Sequence, residues 1–480
     1  MKVLLLAMVV ALVGCLITSR NGKLYDSEGR QIIFHGPNVV VKVPPYRPTD
    51  DHFDVEMSFC EEDMKMLKEW GFNGIRLAVM WPGVEPKSAV YSQEYLDKMR
   101  DLVNLAGKYG IYSLVEFHQD IASEKFCGDG IPAHLIPDRL TKTFPMPIGH
   151  THFKYNSSGL PDYSDCLKHN WPKYYFSYDV SYTFESLYTN RHGLLDKFEQ
   201  YWIRVAQTFA GNEYVIAYEL INEPFAGSPW TNPTVMIPSF AERIHLQHFY
   251  DRLAAAIRKY DDKHPICFEP VTWDNTVPVG FSHPPGGNRF KDQSILCYHF
   301  YMPPALNLKT VQARVKDAQR LGISAILSEF WYKSDIGGTE IDEYNRFGQS
   351  WLFWGWKTFG KTWGSNYEEP NEDEVGFFYR NGTAIKQWVE LLSQTYVQRL
   401  AGELISSHYD NRTRDFSVNY YPSNGTTIIF ANRRDNYPNG IGINVVPSGV
   451  LSITEPEPNY FHVVATTTDR PRVMVSFTRL

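Results

Sequence analysis

Between about residue 24 and residue 397, short apolar segments alternate with longer segments that mix apolar and polar residues. Eight of the short segments are almost continuously hydrophobic, which is typical of strands buried on both faces of a parallel sheet. We therefore predict strands at 31–40, 72–81, 111–120, 214–223, 265–273, 295–301, 324–331 and 350–357.

Amphipathic helices are predicted between these strands. The segment 58–71 is one example, and in the segment 92–110 apolar residues recur at helical spacing before Gly110, a residue type that commonly ends helices. Eight strand–helix units in one chain predict an α/β fold, a (β/α)8 TIM barrel. The alternative is a doubly wound open sheet, but no Gly-rich phosphate loop follows any of the strands.

Two regions depart from this alternation. Residues 123–190 form a long insertion after the third strand, rich in Pro, Tyr and His, on the face where barrel loops shape active sites. After the last helix of the barrel pattern, short β runs are separated by Pro, Gly and Asn. We therefore predict a barrel over 20–397 and a small C-terminal all-β sandwich domain over 398–480.

The N-terminus has one lysine followed by an apolar run of about sixteen residues. Because this run is short and no stop-transfer pattern follows, it predicts a secretory signal peptide over residues 1–19. Lipidation of Cys15 is an alternative, since Leu12-Val13-Gly14-Cys15 resembles a bacterial lipoprotein box. Four N-glycosylation sequons favour secretion by a eukaryotic cell, at Asn156, Asn381, Asn411 and Asn424. We expect a secreted glycoprotein, outside cells or in a digestive or lysosomal lumen.

Composition narrows the possible partners. Hydrophobic residues make up 43% of the chain, which is enough to build a large core. The formal net charge of -7 gives no indication of nucleic-acid binding. No transmembrane segment is predicted, and a monomer is expected.

Five cysteines follow Cys15, and a secreted protein oxidises cysteine pairs that meet. Cys127 and Cys166 flank the polar insertion, so we predict a disulfide between them. Cys267 and Cys297 lie inside apolar strands and are predicted to be buried thiols. The spacing of the cysteines fits no zinc site, and the sequence implies no metal or other cofactor.

Polar residues stand at the ends of seven of the eight predicted strands. In a (β/α)8 barrel, catalytic groups project from the C-terminal ends of the strands, so these side chains should converge on one mouth. The candidate site residues are Lys42, Arg76, His118, Asp120, Asn222, Glu223, His299, Tyr301, Glu329 and Trp354.

Glu223 and Glu329 end the fourth and seventh strands, which lie across the mouth of a barrel from each other. Glycoside hydrolysis uses two such carboxyl groups, one as general acid and the other as nucleophile or base. Partial burial among aromatic residues should raise the pKa of Glu223, whereas Arg76 and Tyr301 are placed to keep Glu329 ionised. A separation of about 5 Å would favour a retaining mechanism.

The remaining candidates suit sugar binding. We predict a hydrogen bond from Asn222 to a sugar 2-hydroxyl group and polar contacts to the same sugar from Lys42, His118 and Asp120. Trp354 is predicted to be the stacking platform under the ring.

Structural roles are the alternative for some candidates. Arg76 is compatible with an ion pair inside the barrel, and His299 with a hydrogen-bonded core histidine. Either Trp354 or Trp356 is compatible with ordinary core packing.

Several of these motifs resemble the signatures of family 5 glycoside hydrolases, and they span the whole barrel in the right order: Gly-Ile-Arg-Leu (74–77), Asn-Glu-Pro (222–224), His-Phe-Tyr (299–301), Ser-Glu-Phe (328–330) and Trp354. Within this family, His-Gln-Asp at 118–120, the longer motif Asn-Glu-Pro-Phe-Ala-Gly and the C-terminal β module are similar to the endoglycoceramidases. The resemblance implies Glu223 as acid/base and Glu329 as nucleophile, with retention of configuration. It also implies a glucose subsite lined by Arg76, His118, Asp120, Asn222, Tyr301 and Trp354.

The expected function is therefore hydrolysis of the glucose–ceramide bond of glycosphingolipids at membrane surfaces or in micelles, releasing intact oligosaccharide and ceramide. A ceramide leaving group requires an apolar side of the cleft, for which the candidates are Phe225, Pro229, Trp230, Met236, 281–287, Phe359 and Trp363. One alternative is another family 5 activity on a polysaccharide, as a β-glucanase or mannanase. The other is a barrel that binds glycan or lipid without catalysis.

Overall fold

The computed structural model describes residues 16–149, 153–272, 276–301, 306–333, 337–359 and 373–480. Residues 1–15 of the predicted signal peptide (1–19) lie outside the described residues, and so does Trp363. The last residues of that predicted segment are described, and Thr18 and Ser19 belong to the first strand of a sheet. Three short strands come first in the described chain: β1 (Thr18–Arg20), β2 (Lys23–Tyr25) and β3 (Gln31–Ile32).

Eight parallel strands then close into a barrel, which confirms the predicted fold and excludes the open sheet. They are β4 (His35–Val39), β5 (Gly74–Ala78), β6 (Tyr112–Glu116), β7 (Val215–Glu219), β8 (Ile266–Phe268), β9 (Ser294–Phe300), β10 (Ser324–Phe330) and β11 (Ser350–Phe353). All of these strand residues are buried except Tyr112, as expected for strands covered on both faces.

The α-helices of the described chain are α1 (Glu61–Glu69), α2 (Trp81–Val84), α3 (Gln93–Lys108), α4 (Tyr163–Cys166), α5 (Tyr178–Tyr188), α6 (Leu194–Phe209), α7 (Gln247–Ile257), α8 (Asn307–Leu321), α9 (Gly337–Arg346), α10 (Lys386–Leu392) and α11 (Arg433–Asn436). A π-helical turn spans Glu242–Leu246. Short 3-10 helices lie at Glu124–Phe126, Ala133–Leu135, Asp138–Leu140, Trp171–Phe176, Arg191–Gly193, Pro233–Met236 and Asn288–Gln293.

Helix α3 shows how the sequence fixes these elements. The Ser92 hydroxyl oxygen accepts a hydrogen bond from the backbone N–H of Tyr95 and caps the helix start. The predicted apolar stripe is buried against the barrel, and Gly110 follows the helix with a φ of 76°, a left-handed conformation that glycine adopts without strain. The predicted helix 92–110 is thus confirmed within two residues at each end.

The C-terminal region is antiparallel, which confirms the predicted β module. A hairpin of β12 (Glu374–Val375) and β13 (Phe378–Tyr379) precedes it. The strands of the module are β14 (Tyr396–Leu400), β15 (Gly402–Tyr409), β16 (Phe416–Pro422), β17 (Thr426–Phe430), β18 (Ile441–Val446), β19 (Leu451–Glu457), β20 (Tyr460–Ala465) and β21 (Val473–Arg479). One sheet has the order β15-β16-β21-β18, and the other β1-β2-β3-β14-β17-β20-β19. The second sheet therefore includes the three N-terminal strands, which the sequence pattern did not indicate.

Side chains of the β module contact the outside of the barrel directly. The Tyr396 hydroxyl donates to the carbonyl oxygen of Gly71 (2.7 Å), and the Tyr460 hydroxyl donates to that of Lys68 (2.7 Å). The ring of Tyr396 also stacks on His35, with 3.9 Å between centroids. The β module therefore packs directly against the barrel.

Two disulfides are present in the described chain. Cys127–Cys166 confirms the predicted pair, with 5.6 Å between the Cα atoms. Cys267 and Cys297 also form a disulfide, with 5.7 Å between the Cα atoms, so the prediction of two buried thiols was wrong. Strands β8 and β9 are neighbours in the barrel and turn these two side chains toward each other. Cys60 is a buried free thiol.

Replacing Cys127 and Cys166 together by Ser is expected to lower the free energy of unfolding by about 2–4 kcal/mol, because the disulfide restricts the unfolded chain. The measurement is equilibrium urea unfolding. A Cys60→Ser variant, which loses a thiol but no cross-link, is the control and should lose less. A loss below about 0.5 kcal/mol in the double variant would contradict this expectation.

Candidate active site

Arg76 lies inside the barrel where the strands end, and it is fully buried. Its guanidinium donates to side-chain oxygens from the surrounding strands and loops: Asn38 (3.0 Å), Glu116 (3.3 Å), Glu219 (2.5 Å), Asn222 (2.9 Å) and Glu329 (2.9 Å). A buried cation needs such partners, because an unpaired charge in the core is strongly destabilising. Arg76 is therefore both a buried ion-pair residue and a direct contact of a predicted catalytic carboxylate.

Glu329 projects from β10 into the mouth of the barrel. One carboxylate oxygen accepts from Arg76 and the other from the Tyr301 hydroxyl. Burial raises the pKa of Glu329, while His299 and Arg76 act in the opposite direction. The structure thus places both predicted partners in contact with Glu329, where they favour the ionised carboxylate against desolvation.

Glu223 follows β7 in a loop whose backbone is unusual. Its φ is 42°, a conformation that is uncommon for residues other than glycine and that recurs at functional sites. The backbone N–H of Glu223 donates to a carboxylate oxygen of Glu269 (3.3 Å), which holds this conformation. Burial raises the pKa of Glu223 to about 7, and the charge of Asp120 contributes to the rise. A large fraction of Glu223 therefore carries its proton at neutral pH.

His299 lies between the two glutamates. Its Nδ1 is 3.0 Å from a Glu223 oxygen and 3.9 Å from a Glu329 oxygen, and burial lowers its pKa to about 4. A carboxyl oxygen of each glutamate and a ring nitrogen of His299 lie within 4.8 Å of one another. Carboxyl groups are about 5–5.5 Å apart in retaining glycosidases and about 6.5–9.5 Å apart in inverting ones. This short oxygen–oxygen distance favours the retaining geometry.

Asn222 is held by two neighbours before any substrate arrives. Its Oδ1 accepts from Arg76, and its Nδ2 donates to the backbone oxygen of Gln119 (2.8 Å). The side chain of Gln119 returns a hydrogen bond to the backbone oxygen of Asn222 (2.8 Å). This reciprocal pair ties the loops after β6 and β7 together and fixes the position of Glu223. The predicted contact of Asn222 with a sugar hydroxyl stays a prediction.

The predicted sugar-binding residues form a second group beside the glutamates. Lys42 forms an ion pair with Asp120, and its ammonium lies 5.0 Å from the centroid of Trp354. The ring of His118 stacks on Trp354 at 5.5 Å. Although burial opposes the charge, Glu116 raises the pKa of His118 to about 10, so the imidazole is protonated. The structure thus brings Lys42, His118, Asp120 and Trp354 into one cluster.

Trp356 is a core residue, unlike Trp354. It is fully buried, and its ring nitrogen donates to a carboxylate oxygen of Asp63 (2.8 Å). Trp354, by contrast, contacts Lys42 and His118 of the candidate site.

The loops proposed as the apolar side of the cleft divide into two groups. Phe225, Phe281 and Phe359 are buried and pack within the protein. Exposed apolar side chains instead come from the loops after β6 and β7, and all are between 37% and 55% exposed: Phe176, Tyr178, Trp230, Met236 and Ile237. We call these five residues the apolar rim.

The predicted site did not include three buried glutamates around Arg76. Glu116 and Glu219 form ion pairs with the guanidinium, and Glu269 lies 3.8 Å from it. Burial raises the pKa of Glu269 well above its ordinary value, and the charge of Glu219 adds to this. The sequence feature that indicated these glutamates was Arg76, because an arginine inside an apolar strand requires carboxylates on neighbouring strands.

A model of the family described as Cellulase (glycosyl hydrolase family 5) matches residues 52–360. A curated protein named "Endoglycoceramidase", from Hydra vulgaris, is 36% identical over 472 residues, covering 96% of this chain and 88% of that protein.

Two solved structures of Endo-glycoceramidase II from Rhodococcus sp. have the same fold. One is described as a lactosyl-enzyme intermediate, with 21% identity, coverage of 96% of this chain and 100% of the other, and a TM-score of 0.72. The second is described as a ganglioside GM3 complex, with 20% identity, coverage of 95% and 99%, and a TM-score of 0.72.

Proposed function

This chain belongs to glycosyl hydrolase family 5, and on that basis we propose that it is a retaining endo-glycosidase acting on glycosphingolipids. It hydrolyses the glucose–ceramide β-glycosidic bond and releases intact oligosaccharide and ceramide. The observation that carries this proposal is the pair of glutamates, one with its pKa raised to about 7 and the other bound by Arg76 and Tyr301, with oxygens within 4.8 Å across the mouth of the barrel.

The geometry supports a double displacement. The Glu329 carboxylate attacks the anomeric carbon of glucose and forms a glycosyl ester, while Glu223 gives its proton to the departing ceramide oxygen. Glu223, now ionised, then takes a proton from water as the water attacks the anomeric carbon and breaks the ester. Arg76 and the Tyr301 hydroxyl hold the attacking carboxylate in place.

The value of kcat/KM for a ganglioside should fall above about pH 7, because burial raises the pKa of Glu223 to about 7 and only the protonated form acts as general acid. It should fall about tenfold for each further pH unit. A lactoside with a dinitrophenolate leaving group, which departs without a proton, serves as the control and should keep its kcat/KM on the basic side. An identical basic limb for both substrates would exclude Glu223 as the general acid.

The apolar rim favours a lipid substrate over a polysaccharide. The Trp230 ring nitrogen donates to the backbone oxygen of Phe176 (3.0 Å), and Tyr178 meets the Trp230 ring edge-on at 5.0 Å. These contacts join the loops after β6 and β7 at three residues of the apolar rim. Trp and Tyr are suited to a membrane–water interface, because each has an apolar body and a polar group.

Replacing Trp230 and Ile237 together by Ser should lower activity on ganglioside in lipid vesicles by about tenfold, since each exposed side chain adds apolar area that the lipid covers. Hydrolysis of a soluble aryl lactoside should be unchanged. Tyr260→Ala is the matched control, because Tyr260 is similarly exposed but precedes β8 at the opposite end of the barrel. Equal losses on the vesicle and soluble substrates would argue against a lipid-facing rim.

The proposed function is tested by separate incubations with a ganglioside and with a cello-oligosaccharide. Intact oligosaccharide and ceramide are expected from the first incubation, and no product from the second. Stepwise release of monosaccharides would contradict an endo-acting enzyme, and cleavage of the cello-oligosaccharide alone would favour the polysaccharide alternative.

We also propose that the protein is secreted as a glycoprotein. Two disulfides in the described chain support this, because disulfides persist in oxidising compartments. No helix among the described residues is both long and apolar enough to cross a membrane. Deglycosylation of the protein recovered from culture medium, followed by a mass measurement, tests both points.

A further inference from the structure

Asp129 is a buried carboxylate beside the cluster of Lys42, His118, Asp120 and Trp354, and it is not one of the predicted site residues. It is only 2% exposed, and no hydrogen bond from the described part of the protein reaches either carboxylate oxygen. The nearest cation is the Lys42 ammonium, 3.9 Å from one of these oxygens. A buried carboxylate without hydrogen bonds costs free energy, and such groups are rare unless a ligand or water satisfies them.

The backbone around Asp129 places its side chain at this position. The chain turns back on itself so that the N–H of Asp129 donates to the carbonyl oxygen of Asp120 (2.7 Å). At Gly128 a Cβ atom would lie 1.9 Å from that same carbonyl oxygen, so the close approach requires glycine. The Cys127–Cys166 disulfide anchors the start of the turn. Asp129 is thus held rigidly, on the same side of the mouth as Asp120.

The surroundings of Asp129 are those of a sugar site. Polar atoms of His118, Asp120 and Asp129 lie within 4.8 Å of one another, and His118 also stacks on Trp354. The His118 Nε2 atom is a second buried polar atom with no hydrogen bond from the described residues. Burial raises the pKa of Asp129 to about 7, although Lys42 opposes the rise. Near neutral pH the carboxyl group is therefore able both to donate and to accept a hydrogen bond.

We propose that Asp129 is a substrate-binding residue whose carboxyl group hydrogen-bonds one hydroxyl group of the sugar held by Lys42 and Trp354. The proposal rests on the proposed function, since it assumes a sugar in this site. Asp129 would add specificity for that hydroxyl group, because a site built to bond a hydroxyl strongly rejects the analogue that lacks it.

The test is a comparison of kcat/KM for dinitrophenyl lactoside and for its monodeoxy analogues, in which single hydroxyl groups of glucose and galactose are removed in turn. One analogue should react about 10- to 100-fold more slowly than the parent with the native enzyme. The Asp129→Ala variant should discriminate against the same analogue by no more than about threefold, while the penalties for the other analogues stay unchanged. The Asp129→Asn variant keeps the shape of the side chain, and its discrimination against that analogue should lie between those of the native enzyme and the Asp129→Ala variant. It provides the test if the Asp129→Ala variant does not fold.

Asp179→Ala is the matched control. Asp179 is also a buried aspartate of the 123–190 insertion, but it is bonded to the backbone and hydroxyl of Thr143. This variant should leave every analogue ratio at its native value. If the Asp129 variants lose activity equally on all analogues, Asp129 has a structural role only and the inference is wrong. An enzyme that does not hydrolyse the parent lactoside would instead overturn the proposed function, and this inference with it.

Discussion

Replacing Glu329 by Gln is expected to reduce turnover of gangliosides by a factor on the order of 10⁵, because the amide cannot form the glycosyl ester. Binding should persist, since the introduced amide keeps the shape of the side chain and its position beside Arg76 and Tyr301. Single-turnover kinetics and equilibrium binding of the same ganglioside to the purified variant measure both quantities. Substantial activity in this variant would show that another group is the nucleophile.

Glu85→Gln provides the matched control for this result. Glu85 is a buried glutamate outside the site, where it accepts hydrogen bonds from the Trp81 ring nitrogen (2.9 Å) and from the backbone N–H of Ala89 (2.8 Å). Its replacement removes a buried charge without touching the reacting atoms. We expect reduced stability and a kcat within a few-fold of the native value, so a general effect of losing a buried carboxylate is separated from loss of the nucleophile.

Replacing Glu223 by Ala should lower turnover of gangliosides by about 10³-fold, because the ceramide oxygen then leaves without a proton. Dinitrophenolate leaves without such help, so dinitrophenyl lactoside should still form the glycosyl ester with Glu329. Hydrolysis of that ester should be slow, since the base that activates water is missing. Stopped-flow measurement should therefore show a burst of dinitrophenolate followed by a slow steady state.

Added azide provides a second measurement on the Glu223→Ala variant. Azide needs no general base, so it should attack the anomeric carbon of the ester, restore the steady-state rate and give a lactosyl azide with retained β configuration. An α-configured azide would indicate that the ester was never formed. Equal losses on ganglioside and on dinitrophenyl lactoside, without a burst, would contradict the acid/base role of Glu223.

The sequence predicted well those parts of the structure that depend on the pattern of residues within short segments of the chain. Each barrel strand is a continuous apolar run, and Glu223 and Glu329 stand at the ends of such runs, so both the barrel and the meeting of these two glutamates at its mouth follow from pattern and strand order. Cys127–Cys166 was predictable for a similar reason, because the two residues flank one insertion.

Features that depend on the direction of side chains in space were not predictable. Cys267 and Cys297 lie on neighbouring strands, but whether they point toward each other depends on barrel register. Asp129 reaches the site through a loop whose path a pattern of residues does not define. The distances between side chains at the mouth were also not predictable. A position at a strand end places a side chain at the mouth of the barrel, but it does not determine how far that side chain lies from another one.

The pairing of β3 with β14 has a consequence for how the protein is made. Gln31 in β3 pairs with Leu400 in β14. During synthesis, β3 therefore has no pairing strand on this side until about 370 further residues have been added. At about 5–20 residues per second, that interval is on the order of 20 to 75 s. During this time apolar residues that end up beneath the barrel, such as Leu24 and Ile32, remain accessible to chaperones. Changes in the C-terminal sheet should therefore affect the yield of folded protein more than the rate of the reaction.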